Sequence, residues 1–71
     1  MSEKRYQIMY RQVGHTEIWV NRISTWAMQV TVYDHIDKAQ QVTEVTTLDE
    51  AQTVVSDAIT RELRRQQGET L

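Results

Sequence analysis

An α+β fold is what this 71-residue sequence predicts, a three- to four-stranded antiparallel β-meander with one C-terminal α-helix packed on one face. Three observations predict it. Residues 6–10 and 26–32 alternate large apolar with polar or small side chains, the period of a half-buried strand. Gly14-His15 stands between two strand-like runs, and glycine at the first central position suits a two-residue type II′ hairpin. After residue 47 the apolar spacing changes from two to three and four.

Each element follows from its own residues. The first strand is expected over 5–13, around Tyr6, Ile8 and Tyr10, and the second over 16–23, rich in Ile, Trp and Val. The third, 26–36, carries the alternating run from Trp26 to Val32; a shorter fourth, 41–46, is the most weakly patterned. A helix is expected over 48–67, because Leu48, Ala51, Val55, Ala58, Ile59 and Leu63 fall on one stripe. Thr47 and Glu50 have the spacing of a capping box, in which the two side chains satisfy amides left unpaired at a helix start. Asp49 and Glu50 suit the positive end of the helix dipole, and Arg61, Arg64 and Arg65 the negative end. Gly68 is a stop signal.

Size allows one domain, residues 1–71, with a core that has little to spare. There is no Cys, hence no disulfide and no thiolate metal site, so packing or self-association must supply the stability. That makes a homodimer an expectation. Residues 1–5 lead into the strand pattern without an apolar leader, and no stretch is long enough to span a bilayer, so the expected location is cytoplasmic. Net charge is −2; residues 1–30 hold four basic and two acidic side chains, residues 31–71 four and eight. So mild an imbalance does not describe a protein that coats nucleic acid by bulk charge.

The two hairpins predict how the faces divide. If Gly14-His15 is the first loop, Val13 opposes Thr16 and Tyr10 opposes Trp19; if Ser24-Thr25 is the second, Trp19 opposes Val30 and Ile23 opposes Trp26. Opposed residues share a face. Tyr6, Ile8, Tyr10, Trp19, Ile23, Trp26, Met28, Val30 and Val32 are then expected under the helix, with Asn21 an unexplained misfit among them. Beside Ala27 and Thr31, the outer face would display Arg5, Gln7, Met9, Arg11, Ile18, Val20, Arg22, Gln29 and Tyr33. An apolar centre bordered by arginines is how many protein interfaces are composed, and these nine residues are the expected partner-binding set. The bland alternative is a solvated sheet face with scattered apolar residues.

Other constellations carry less. His15 and His35, with Asp34 and Asp37, could gather at one end of the sheet as weak metal candidates, but turn-flanking polar residues are ordinary there. No nucleophile motif, phosphate loop or cofactor-binding signature is present, so the expectation is a protein that is not an enzyme and needs no cofactor. The strand-strand-strand-helix order over residues 5–65 resembles, in pattern, the AP2-type domain and the small N-terminal domains of some phage-type integrases, which insert an exposed sheet face into the DNA major groove. That resemblance implies Arg5, Arg11, Arg22, Gln7, Gln29 and Tyr33 as DNA contacts. The net acidic charge departs from the basic footprint of such domains.

The leading expectation is therefore a small non-enzymatic protein-binding module. It would regulate or inhibit a larger protein machine, phage-encoded and acting on host transcription by analogy of size, and its partner would be a larger protein or a second copy. DNA binding through the same arginine-bearing face is the runner-up. No membrane partner is expected.

Overall fold

The computed structural model describes residues 6–69. Four strands, β1 (Tyr6–Val13), β2 (Thr16–Ser24), β3 (Ala27–Asp34) and β4 (Ala39–Val45), precede one helix, α1 (Leu48–Glu69). The strands form a single antiparallel sheet in the order β1-β2-β3-β4, with α1 laid across one face. The α+β meander is thus the fold, and the fourth strand is a full member of the sheet. No helix among the described residues is long and apolar enough to cross a membrane.

Turn chemistry fixes the first hairpin as its sequence implies. Gly14 takes φ +56° while His15 keeps a negative φ, the pattern of a type II′ turn, and Val13 opposes Thr16 with Tyr10 opposite Trp19. Beyond Tyr10 the ladder shifts at Ile8, which sits as an extra residue between the Gln7–Asn21 and Met9–Val20 pairs. The β3–β4 connection is held by Asp34, whose Oδ1 accepts the backbone N–H groups of Ile36 (2.9 Å) and Asp37 (3.3 Å). Lys38 closes it at φ 55°.

The second hairpin departs from expectation by one residue. Ser24 opposes Ala27, so the loop is Thr25-Trp26 rather than Ser24-Thr25, and Ile23 is a second bulge. Neither loop residue has a positive φ, so the turn is not of the primed kind that matches strand twist. The bulge beside it adds the twist instead. The moved loop alone would set Trp19 against Val32; the extra residue at Ile23 is what pairs Ile18 with Val32 and Val20 with Val30, and sends Trp19 opposite Thr31. A one-residue slip exchanges faces.

The core is consequently aliphatic. Ile18, Val20, Met28, Val30, Val45, Ala51, Val55 and Ala58 are buried, with Met9, Val32, Val54 and Ile59 packed around them. Met28, Val30 and Val32 lie under the helix as expected; Tyr10, Trp19 and Trp26 do not. Trp26 is at the turn tip and 80% exposed. The physical reason lies in the helix: Ala51 and Ala58 present small side chains to the sheet, so α1 lies close over a layer of β-branched residues. An indole there would overpack the layer. Leu48 and Leu63, at either end of the expected stripe, are exposed, and the place Leu63 was expected to fill is taken by Glu62.

The helix start is built as its spacing implies. Glu50 N donates to Thr47 Oγ1 (3.1 Å) and Thr47 N donates to Glu50 Oε1 (3.2 Å), a reciprocal capping box. Thr46 adds its own N–H and hydroxyl to the same oxygen, and these bonds, the Thr46 amide foremost, hold the Glu50 carboxyl below its usual range.

Candidate binding face

Three rows of side chains cross the face of the sheet that α1 leaves open, and the register defines them. Gln7, Asn21, Gln29 and Glu44 form the first, Tyr10, Trp19, Thr31 and Val42 the second, Gln12, Glu17, Tyr33 and Gln40 the third. The middle row is aromatic and aliphatic; the outer rows are mostly amides. Trp19 and Tyr33 are half-buried, Tyr10 is 41% exposed and Val42 47%. No lysine or arginine among the described residues belongs to these rows, whose only formal charges are Glu17 and Glu44.

Glu17 organises the aromatic groups. Tyr10 Oη donates to its Oε2 at 2.5 Å, and His35 Nε2 meets its Oε1. The Tyr10 and Trp19 rings lie 5.6 Å apart with planes at 49°, and His35 stands edge-on to Tyr33 at 4.6 Å. Each ring is therefore held by a second group, which limits the rotamer freedom that binding would otherwise have to remove. The hydrogen bond from Tyr10 and then that from His35 lower the Glu17 carboxyl from its ordinary value, and the bond to Glu17 raises the Tyr10 phenol.

The sequence-expected set is split by the sheet. Gln7, Gln29 and Tyr33 are on the open face; Arg5 and the side chain of Tyr6 lie outside the described residues. Ile18 and Val20 are corrected outright: at 0% and 1% exposure they are core. Met9 opposes Val20 and packs against that core, and Arg11 opposes Ile18, which puts both on the helix side. Arg22 opposes Met28 on the same side and spends its Nη1 on the carbonyls of Ser24 (3.2 Å) and Thr25 (3.1 Å), clamping the second turn. Arg11 and Arg22 are therefore not on the open face. Trp19, Tyr10, Glu17 and Val42 are the face residues that sequence reasoning missed. The signal for them was present: Trp19 stands between β-branched Ile18 and Val20, and only one of those two alternating sets can lie beneath a helix that presents alanine.

A second polar centre occupies the far end of the helix side. Glu62 is 1% exposed. Its Oε2 accepts the His15 backbone N–H at 2.9 Å and its Oε1 the Thr16 hydroxyl at 3.0 Å, with Arg65 bonding it from the next turn. Burial pushes this carboxyl up, but the His15 amide, Arg65 and Thr16 together outweigh burial and leave it below its ordinary value. Arg65 Nη1 also donates to Asp34 Oδ2 at 2.7 Å, the largest cause of a lowered Asp34. A 440 Å³ cleft beside this network, between α1 and β4, is lined by Thr16, Asp34, Gln41, Arg61, Glu62 and Arg65 among others. The carboxylates nearest it are already committed to Arg65. As for the metal candidates, His35 N donates to His15 O at 2.9 Å, so the two residues are adjacent, yet the His35 ring is turned to Glu17. Among the described residues, no group of three or more His, Asp or Glu side chains is arranged to hold a metal ion.

No family model matches this chain, and neither the curated proteins nor the solved structures contain a match.

Proposed function

We propose that this chain is a non-enzymatic protein-binding module that engages its partner through the open sheet face. It would regulate a larger protein by covering part of that protein's surface. One observation carries the reading: the Tyr10-Trp19-Thr31-Val42 row is an aromatic and aliphatic centre, flanked on both sides by amide-bearing rows. Interfaces are enriched in tyrosine and tryptophan at the centre and depleted of charge there, with a polar rim. Rings already fixed by Glu17 and by each other would add contact area at low entropic cost.

DNA binding was expected to use arginines on this face. Arg11 and Arg22 lie on the other side, and the rows carry acid rather than base. Stacking of single-stranded bases on Tyr10, Trp19 and Tyr33 would meet the same repulsion from Glu17 and Glu44.

The test is photo-crosslinking in extract of the source cell. A photoreactive residue at Gln12, on the open face, is compared with one at Gln52, exposed on α1. The reading expects a discrete protein adduct from position 12 and none from 52. Adducts only from 52, or none from 12, would remove it. Labelled oligonucleotides in low salt should show no anisotropy change; salt-sensitive binding would favour nucleic acid instead.

A further inference from the structure

We propose that β4 pairs antiparallel with β4 of a second copy of this chain, joining two sheets into one of eight strands. The observations behind this concern the edge of the sheet rather than its open face, with Val42 the one residue that belongs to both. The sheet order leaves two edges, β1 and β4, and they are built differently. The β1 edge is interrupted by the Ile8 bulge and carries Arg11, both devices that discourage edge pairing. The β4 edge has neither. Its ladder with β3 runs through seven pairs, Met28–Val45 to Asp34–Ala39, with no shift, and it contains no Pro, no Gly and one charge, Glu44.

The outward side of β4 is also open. Outside the strand ladders and the helix, the backbone hydrogen bonds among the described residues are His35 N to His15 O and Ala51 N to Thr47 O, and neither involves residues 39–45. Residues 39–42 and 44 are exposed on β4, because α1 lies chiefly over β2 and β3. Half the backbone groups of an edge strand point away from its neighbour, and another strand is the group that completes them.

A second copy fits because the strand is self-complementary at full overlap. Val42 is the midpoint of Ala39–Val45, so a two-fold axis there sets Val42 against Val42. Gln41 then opposes Thr43 and Gln40 opposes Glu44, an amide donor against a carboxylate. No like charges face each other, and the central contact is a β-branched pair, which favours cross-strand packing. The axis is perpendicular to the sheet, so both open faces look the same way and the aromatic rows of the two copies lie side by side. The symmetry is that of an isologous dimer.

Sedimentation equilibrium over a concentration series tests this. The wild type should dimerise; Val42→Lys and Val42→Glu, each placing like charges at the axis, should weaken self-association about tenfold or more, and their equimolar mixture should restore it. Val42 is half exposed, and amide exchange of β2 and β3 checks that each variant stays folded. In the wild type, exchange at β4 should slow as concentration rises while exchange at β1 stays constant. A monomer up to about 1 mM would overturn the proposal. So would a dimer indifferent to Val42→Lys, a mixture that stays monomeric, or a dimer lost on Tyr10→Arg but not on Val42→Lys, which would mean face-to-face packing.

Discussion

The carboxylate of Glu62 accepts the backbone N–H of His15 at 2.9 Å, forty-seven positions earlier in the chain. This bond ties the far part of α1 to the first hairpin turn, where the helix stripe changes from apolar to polar. Thr16 and Arg65 complete the site, and no buried side-chain nitrogen or oxygen among the described residues lacks a partner. Satisfaction of every group is what makes a buried charge tolerable.

Removing that carboxylate should therefore cost more than one hydrogen bond. Glu62→Ala strands the His15 amide and the Thr16 hydroxyl and leaves Arg65 short of a partner, for an expected loss of about 3 kcal/mol. Glu62→Gln keeps the shape and part of the bonding, so its loss should be smaller, about 1–2 kcal/mol. Urea unfolding of the three proteins measures both. Equal stabilities would show that the network contributes nothing.

Gly14 sits directly against this site. A Cβ there would lie 2.4 Å from Glu62 Oε2 and 2.0 Å from Gln66 Nε2, and the residue holds φ +56°. Gln66 can swing away, but the Glu62 carboxylate is held by its partners. Gly14→Ala should destabilise by about 2 kcal/mol or more, beyond the roughly 1 kcal/mol of the left-handed backbone alone. Gln66→Ala in the same chain should recover little of it. Full recovery in the double variant would place the obstruction at Gln66 instead.

Acid should weaken the fold. Asp34, held down chiefly by Arg65, and Glu62, held down by the His15 amide and Arg65 against burial, both have carboxyls below their ordinary values of 3.8 and 4.5. The unfolded chain therefore takes up these protons first as pH falls. Their contribution is complete above about pH 4.5 and is lost as pH drops through the lowered folded values. Thermal melts should be flat near neutrality and fall below about pH 4.5. Arg65→Gln should flatten that fall, and a melting temperature that rises on acidification would contradict the assignment.

How much of this was legible depended on where the signal was local. The II′ turn at Gly14-His15 and the capping box at Thr47 and Glu50 are each determined by two or three neighbouring residues, and both are found where the sequence puts them. The face assignment was not local. It turned on the bulge at Ile23. A two-residue loop at Ser24-Thr25 or at Thr25-Trp26 would by itself set Trp19 against Val30 or Val32, the same face either way. Only the extra residue in β2 sends it opposite Thr31, with no Gly or Asn to mark the place. With aromatic bulk as the guide, Trp19 goes inward; with helix size as the guide, Ala51 and Ala58 admit Ile18 and Val20 and leave Trp19 out. Glu62 escaped notice because a carboxylate on an apolar stripe reads as solvent-facing until His15 and Thr16 are seen opposite it.

Two truncations decide between the two registers by opposite outcomes. In this structure Ile18 is 0% exposed beneath the helix and Trp26 is 80% exposed at a turn. Ile18→Ala should cost about 2–4 kcal/mol, from lost burial and the cavity left in the aliphatic core beneath α1. Trp26→Ala should change stability by less than about 0.5 kcal/mol, since little of the ring is shielded. Were the loop at Ser24-Thr25 with no bulge at Ile23, Trp26 would lie in the core and cost about 3–5 kcal/mol, while Ile18 would face water and cost little. Denaturant midpoints for the two variants separate the cases without any structural measurement. A large loss at Trp26 with a small one at Ile18 would return the aromatic rings to the core and empty the open face of its central row.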